Sequence, residues 1–143
     1  MQLPSASKIF FRLASSAALT ALVATSVYAG PADLQRSYAV SATRDNGKFA
    51  GFSSARGQKF FESTHGAQWS CSSCHTDNPL LDGKHAKTGR RIQPLAPAAT
   101  PERFTDEAKV EKWFRRNCND VVGRECTAQE KGDVIAYLLS LKK

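Results

Sequence analysis

Methionine is all but missing. Of 143 residues only Met1 carries a thioether, so after the initiator there is no soft sulfur donor for a metal and no flexible gap-filler for a core. Long apolar runs are missing too: the longest candidate, "LASSAALTALVATSV" from Leu13 to Val27, is broken by serines and threonines and falls short of the roughly 20 residues of a comfortable membrane span. The formal charge is +7, yet the basic residues form no long block, which speaks against nucleic acid as a partner. There is no internal repeat, no low-complexity tract and no alternating strand pattern of any strength, so the reading that remains is a single, mostly helical domain.

What is present starts at the N-terminus. Lys8 and Arg12 precede the apolar run, and "VYA" stands before Gly30, the order of a charged region, an apolar region and a small-residue cleavage site. Residues 1–29 are therefore predicted to be a cleaved signal peptide, with the mature chain in the periplasm and no stable membrane insertion. About 114 residues would remain, enough for one domain with a modest core. The mature charge of about +5 favours an acidic partner surface by steering. In an exported protein the four cysteines meet an oxidising environment, where any pair without another use is expected to form a disulfide.

One pair has another use. "CSSCH", Cys71 to His75, has the form of a covalent haem attachment: two thiols at this spacing reach the two vinyl groups of one porphyrin, and the next residue delivers an imidazole beneath the iron. A zinc site would need a further close Cys or His pair, and a thioredoxin-like dithiol would sit in an α/β pattern that the chain lacks. One covalent haem c is the expected cofactor.

The surrounding elements agree. Leu34, Tyr38 and Ala42 predict a short N-terminal helix before the turn signal "DNG" at Asp45 to Gly47. "SSARGQKFFESTHG" predicts a helix opened by Ser53 or Ser54 and closed at Gly66, with Phe60 and Phe61 for packing. "DNPLLDGKHAKTGRRIQPLAPAATP" reads as a long loop, of a kind that is usually functional or packed on something large. A helix over 105–117 capped by Thr105, and a last helix opened by a Thr127–Glu130 capping box, complete the chain. Val134, Ile135, Leu138 and Leu141 form the apolar stripe of that last helix.

With Met1 removed, the donors left for the other face of an iron are His65, His85, a lysine, Asn117 or none. His65 lies ten residues before His75, close for a wrap to the opposite face, and a histidine near a helix C-terminus is favoured there by the dipole alone. His85 sits among Lys84 and Lys87 in the loop, although neutral imidazole is a good iron donor. Asn117 follows Val110 and Trp113 or Phe114 at helical spacing, which predicts a place on the buried face; the competing role is a helix C-cap, which asparagine fills well.

A short helix entering "CSSCH", a long loop and two closing helices resemble a class I cytochrome c, in which the first and last helices cross; Gly57 and Phe61 against Tyr137 are the expected crossing. More closely, "CSSCH", "KTGRRIQPLAP", "PERFTDEAKVEKWFRRNC" and "GRECTAQEKGDVIAYL" together resemble the sphaeroides haem protein (SHP) family, relatives of cytochrome c″, over roughly Gly51 to Leu141. The resemblance implies an all-α class I cytochrome c fold over 53–143, with 30–52 as an N-terminal helical extension. It implies Cys71 and Cys74 as haem attachments, His75 as proximal ligand, Asn117 as a weak distal ligand lost on reduction, and a Cys118–Cys126 disulfide. It implies O2, NO or CO as ligands of the opened ferrous haem and a dihaem c-type cytochrome as redox partner. Whether oxygen or nitric oxide is turned over does not follow from it. A plain electron carrier is the alternative, and a thiol-disulfide protein using Cys118 and Cys126 a third. Lys84, Lys87, Arg90 and Arg91 are candidates for holding haem propionates or for docking the partner.

Overall fold

The computed structural model describes residues 30–143; the predicted signal peptide lies outside the described residues. Helix α1, Pro31–Asp45, starts where Pro31 presets the first helical turn and the Asp33 carboxylate accepts the Gly30 N–H at 2.8 Å. Leu34, Tyr38 and Ala42 recur every fourth residue and are all buried, so one stripe faces inward. Helix α2, Ser54–Glu62, is capped by the Ser53 hydroxyl. It ends four residues before the expected Gly66. The Ser63 hydroxyl takes the His65 N–H at 3.3 Å and the chain turns through left-handed His65 and Gly66, a local side-chain bond that competes with helix continuation.

Helix α5, Ala128–Ser140, opens with the expected capping box, in which Thr127 and Glu130 exchange bonds while Arg124 grips the Glu130 carboxylate with both terminal nitrogens at 2.8 and 2.7 Å. Its buried face, Gly132 to Ile135 with Tyr137 and Leu138, is wider than a stripe, because both α1 and α2 pack against it. Leu34, Tyr38, Phe61, Phe104, Val110, Val134, Ile135, Tyr137 and Leu138 make one core; the 30–52 segment therefore contributes to that core through Leu34 and Tyr38. Phe61 meets Tyr137 with ring centroids 5.6 Å apart. At the α2–α5 crossing Gly57 lies so close that an added Cβ would fall 1.9 Å from the Asp133 carbonyl oxygen. The buried Asp133 carboxylate closes the same contact, accepting the Ser53 N–H at 2.7 Å and Arg56 Nε and Nη2 at 2.8 and 2.9 Å, so its charge is both paired and hydrogen-bonded.

Helix α4 runs over Glu107–Val122, correcting the expected 105–117 at both ends. Asp106, not Thr105, is the cap, taking the Lys109 N–H at 3.0 Å, while the Thr105 hydroxyl donates back to the Glu102 carbonyl. The helix passes through Asn117, with the Asn119 side chain donating to the Arg115 carbonyl at 2.8 Å, and stops at Gly123, whose left-handed backbone (φ 75°) returns an N–H to Cys118.

Glu111 fastens α4 to its neighbours: its carboxylate accepts from Tyr38 of α1 and, at 2.7 Å, from Lys131 of α5. Burial works to raise the Glu111 pKa, but the Lys131 and Tyr38 hydrogen bonds and the Lys131 and Arg115 charges outweigh it and hold the pKa below the ordinary carboxylate value. Because the folded-state value is depressed, the stability it contributes is present above the unfolded value and is lost as pH falls through the folded one. Melting curves of wild type and Glu111→Gln are expected to differ near neutrality and to converge only as pH falls through the depressed folded-state value, since a protonated glutamic acid and glutamine then carry the same charge. A gap that persists at low pH would mean that Glu111 acts through packing alone.

Between His75 and α4 the chain is irregular except for a two-stranded antiparallel ladder, β1 (Gly83–Lys84) on β2 (Arg91–Ile92). The buried Pro79 carbonyl takes two N–H groups, from Leu95 at 2.9 Å and Ala96 at 3.0 Å, which pins residues 93–96 as a strap against the segment leaving His75.

Candidate haem-attachment site

Helix α3 is a single turn, Ser72–His75. It is nucleated locally: the Cys74 and His75 N–H groups bond the Cys71 carbonyl at 3.2 and 3.0 Å. The buried Ser70 hydroxyl lies 2.9 and 3.1 Å from those of Ser72 and Ser73, and the Ser70 N–H donates to Ser73 Oγ at 3.0 Å. The two residues between the cysteines thus hold the turn closed. Positions three and four apart share a helix face, so Cys71, Cys74 and His75 lie together, and Thr76 with φ 62° ends the turn behind them.

Both thiols are free and half-buried. Burial pushes the Cys71 thiol up to about 11, and burial, with the Arg103 charge as a smaller contribution, lowers His75 to about 4; the imidazole is therefore neutral, the form that binds iron. Phe61 stacks obliquely toward the His75 ring at 6.3 Å. Gly83 of β1 sits against the turn, where a Cβ would come within 2.1 Å of the Cys74 carbonyl oxygen, and the Ala86 N–H reaches Cys74 Sγ at 3.3 Å. These features fit a covalently attached haem. Two unpaired thiols and a neutral imidazole share one turn, with backbone packed directly behind it.

The remaining candidates are distributed as follows. His65 has its Nε2 at 2.9 Å from the Phe60 carbonyl and its ring against Phe60 at 4.3 Å. His85 is exposed and accepts the Thr88 N–H at 3.3 Å on Nδ1. Asn117 lies inside α4, not at its end, so the C-cap role belongs to Gly123. The expectation of a buried Asn117 is corrected: its side chain is exposed. At 100° per residue it falls at the margin of the face formed by Val110, Phe114, Cys118 and Val121, and Trp113 projects from the same margin with Arg116 over its ring at 5.3 Å. No hydrogen bond joins Asn117 to the Cys71–His75 turn among the described residues. The adjacent Cys118 is paired with Cys126, Cα atoms 5.7 Å apart.

Of the basic residues expected to serve the site, Arg91 is paired with Asp82, Lys87 lies over Trp69, and Lys84 and Arg90 face solvent. Two residues with a part here had no legible signal. Gly83 stands in a loop rich in turn residues, and Arg103 belongs to no motif of metal-ligating or catalytic spacing. Arg103 is half-buried, with Nε donating to the Pro94 carbonyl at 3.0 Å and Nη2 to the Gln93 carbonyl at 2.9 Å. Burial lowers its pKa against the opposing Glu102 charge.

Comparison with known proteins places this geometry. Residues 47–138 match the family described as "Domain of unknown function (DUF1924)". The cytochrome c-type protein SHP of Cereibacter sphaeroides is 55% identical over 69 residues, 48% of this chain and 53% of the relative. Cytochrome c″ of Methylophilus methylotrophus is 47% identical over 83 residues, 58% of each. The matched segment thus spans little more than half the length of these curated relatives. The structure of oxidised SHP, described as an oxygen-binding cytochrome c, superposes with a TM-score of 0.71 at 43% identity, covering 79% of this chain and 98% of that one. With its all-α fold and its Cys71–His75 turn, the chain belongs to the DUF1924 family and, within the c-type cytochromes, to the group of SHP and cytochrome c″.

Proposed function

We propose that the protein is a periplasmic monohaem c-type cytochrome, exported by residues 1–29, whose reduced haem is opened to O2, NO or CO by loss of a weak distal ligand, Asn117. Cys71 and Cys74 form the two thioethers and His75 is the proximal ligand. The observation that carries this reading is the single turn that presents two free thiols and a neutral imidazole together. Bound there, haem c supplies a one-electron iron couple whose reduced form takes diatomic gases, as the name of the oxygen-binding relative suggests.

The chain's own residues account for the switch. With methionine absent after Met1 and His65 and His85 engaged by nearby backbone, Asn117 is the donor best matched to a ligand that leaves. Its amide oxygen is hard, neutral and weak, tolerable to ferric iron and poorly suited to the softer ferrous state. The Cys118–Cys126 bond acts as a structural staple. It closes a short loop, eight residues in sequence, for roughly 2–3 kcal/mol in the chain-entropy account, and keeps the end of α4 in place. The mature charge of about +5 suits docking to an acidic redox protein such as a dihaem cytochrome, with electron transfer as the common step.

Absorption spectra of the purified protein test this when ferric, when reduced by dithionite, and when reduced under CO. A six-coordinate ferric spectrum that becomes high-spin and five-coordinate on reduction, then shifts with CO, is expected. Asn117→Ala should make the ferric form resemble a five-coordinate or water-ligated haem while leaving CO binding intact. A low-spin ferrous spectrum indifferent to CO would sink the gas-binding reading in favour of plain electron transfer.

A further inference from the structure

Arg36, Arg56, Arg91, Arg124 and Lys131 each hold a carboxylate. On α4 the pattern changes. Lys109, Lys112, Arg115 and Arg116 are all exposed, and none bonds a carboxylate among the described residues. At 100° per residue, Lys109, Lys112 and Arg116 fall within about 60° of one another. They form one stripe nearly opposite the buried Val110, Cys118 and Val121, while Arg115 falls on the Glu111 side. Trp113 stands between this stripe and Asn117, with the Arg116 guanidinium over its ring at 5.3 Å.

Helix stability does not explain this arrangement. Lys109 with Lys112 and Lys112 with Arg116 are like-charge neighbours three and four residues apart, which weaken a helix. Lys109 also lies in the first turn of α4, where the macrodipole disfavours a cation. The acids of α4 do not offset these charges. Asp106 caps the helix through the Lys109 N–H, Glu111 is held by Tyr38 and Lys131, and Glu107 lies on the opposite side. Asp120, one turn beyond Arg116, bonds no cation among the described residues. Residues that oppose the local structure they sit in mark functional surfaces. The basic residues of the β1–β2 segment differ, since Arg91 is held by Asp82 and Lys87 lies over Trp69.

We propose that the Lys109, Lys112 and Arg116 stripe of α4 is the docking surface for the acidic face of a one-electron redox protein. This rests on the electron-transfer part of the function proposed above and names the surface through which it occurs. Lys109 and Arg116 lie about two helical turns apart, roughly 10 Å along the axis, so the surface fits carboxylates at matching spacing. The cations are presented by a fixed element, because Glu111 and the Cys118–Cys126 bond tie α4 to its neighbours. A lipid surface is the poorer match. An interfacial helix sets an apolar face beside its cations, whereas Val110 and Val121 are turned into the core and only Trp113 adjoins the stripe. A partner docked here stands beside Asn117, the proposed distal ligand.

The test is calorimetric titration of the purified holoprotein with flavodoxin, an acidic one-electron protein, at about 0.01 M and about 0.15 M salt. Wild type should bind, and more weakly at the higher salt. Two double variants are compared, Lys112→Glu with Arg116→Glu and Lys87→Glu with Arg90→Glu. They change the net charge equally, so a difference between them reports position. At low salt the α4 variant should lose at least about tenfold in affinity and the β1–β2 variant less than about threefold. Equal losses would show that net charge alone matters, and a larger loss in the β1–β2 variant would move docking there. Either result overturns the proposal, as does a wild type that fails to bind at low salt. Phosphatidylglycerol vesicles are the second probe: binding to them that disappears in the α4 variant, with flavodoxin affinity unchanged, overturns the proposal in favour of a lipid surface. Lys112→Gln with Arg116→Gln, which relieves the like-charge repulsion, should lose affinity in the same order and melt no earlier than wild type. Earlier melting would mean that the stripe serves the helix, and the proposal falls. Haem staining of wild type on a denaturing gel comes first. Its absence would take down both readings, whereas stained wild type with equal losses takes down this one alone.

Discussion

Gly57→Ala is expected to destabilise the protein by about 3 kcal/mol, the upper end of the usual cost of overpacking a tight contact. In an exposed helix interior the same exchange would stabilise by about 1 kcal/mol, because alanine is the better helix former. Here the added methyl would stand 1.9 Å from the Asp133 carbonyl oxygen and 2.4 Å from its carbon. Those atoms are backbone of α5, which cannot rotate aside, so α2 has to lift. Lifting it stretches the Ser53 and Arg56 bonds to the Asp133 carboxylate and loosens Phe61 from Tyr137. A shift in melting temperature of roughly 12–20 °C should follow for a domain of this size. Gly47→Ala is the control: nothing lies within 4 Å of its added methyl, and its melting temperature should stay near wild type. Equal melting temperatures for the two variants would mean that the α2–α5 crossing is not the close contact described.

The second large effect is chemical. Replacing both Cys71 and Cys74 by alanine is expected to abolish covalent haem altogether, read as loss of haem stain on a denaturing gel and of the haem increment in the intact mass. Either single replacement should retain a covalent haem through one thioether, with an altered visible spectrum. The distinction matters because the four cysteines divide into two chemically different pairs. Cys118 and Cys126 are bonded to each other across the end of α4, so their replacement by alanine should lower stability while leaving the haem attached. Covalent haem persisting in the Cys71/Cys74 double variant would remove these residues from the site.

Much of this was open to reading in advance, for identifiable reasons. The α1 stripe, the Ser53 cap and the Thr127–Glu130 capping box are written in local spacing and side-chain chemistry, which survive folding unchanged, whereas the Phe61–Tyr137 contact was expected from the resemblance to class I cytochromes. The attachment turn is legible for the same reason, since five consecutive residues carry all its donors. The course of α4 was not. "NCND" looks like a helix end because asparagine is a good cap, but Gly123 supplies a better stop six residues on, and the helix continues to it. The exposure of Asn117 and Trp113 also escaped, because periodicity gives the direction of a face and not the width that its neighbours cover. Gly83 and Arg103 take their significance from contacts that only the folded chain creates, the first from the turn it backs and the second from the strap pinned by Pro79. Nothing in "DGK" or "PERF" distinguishes them from ordinary loop residues.

The fastening of α4 bears on how quickly anything can happen at Asn117. Glu111 ties the helix to α1 and α5 on one side of that residue, and Cys118 ties it to the start of α5 on the other. The backbone between these two ties moves with the rest of the core, so the asparagine amide can change place only by turning about its own χ angles. Rotations of exposed side chains take picoseconds to nanoseconds, whereas shifts of packed helices take microseconds to milliseconds. Rotation of the exposed Asn117 side chain belongs to the first class.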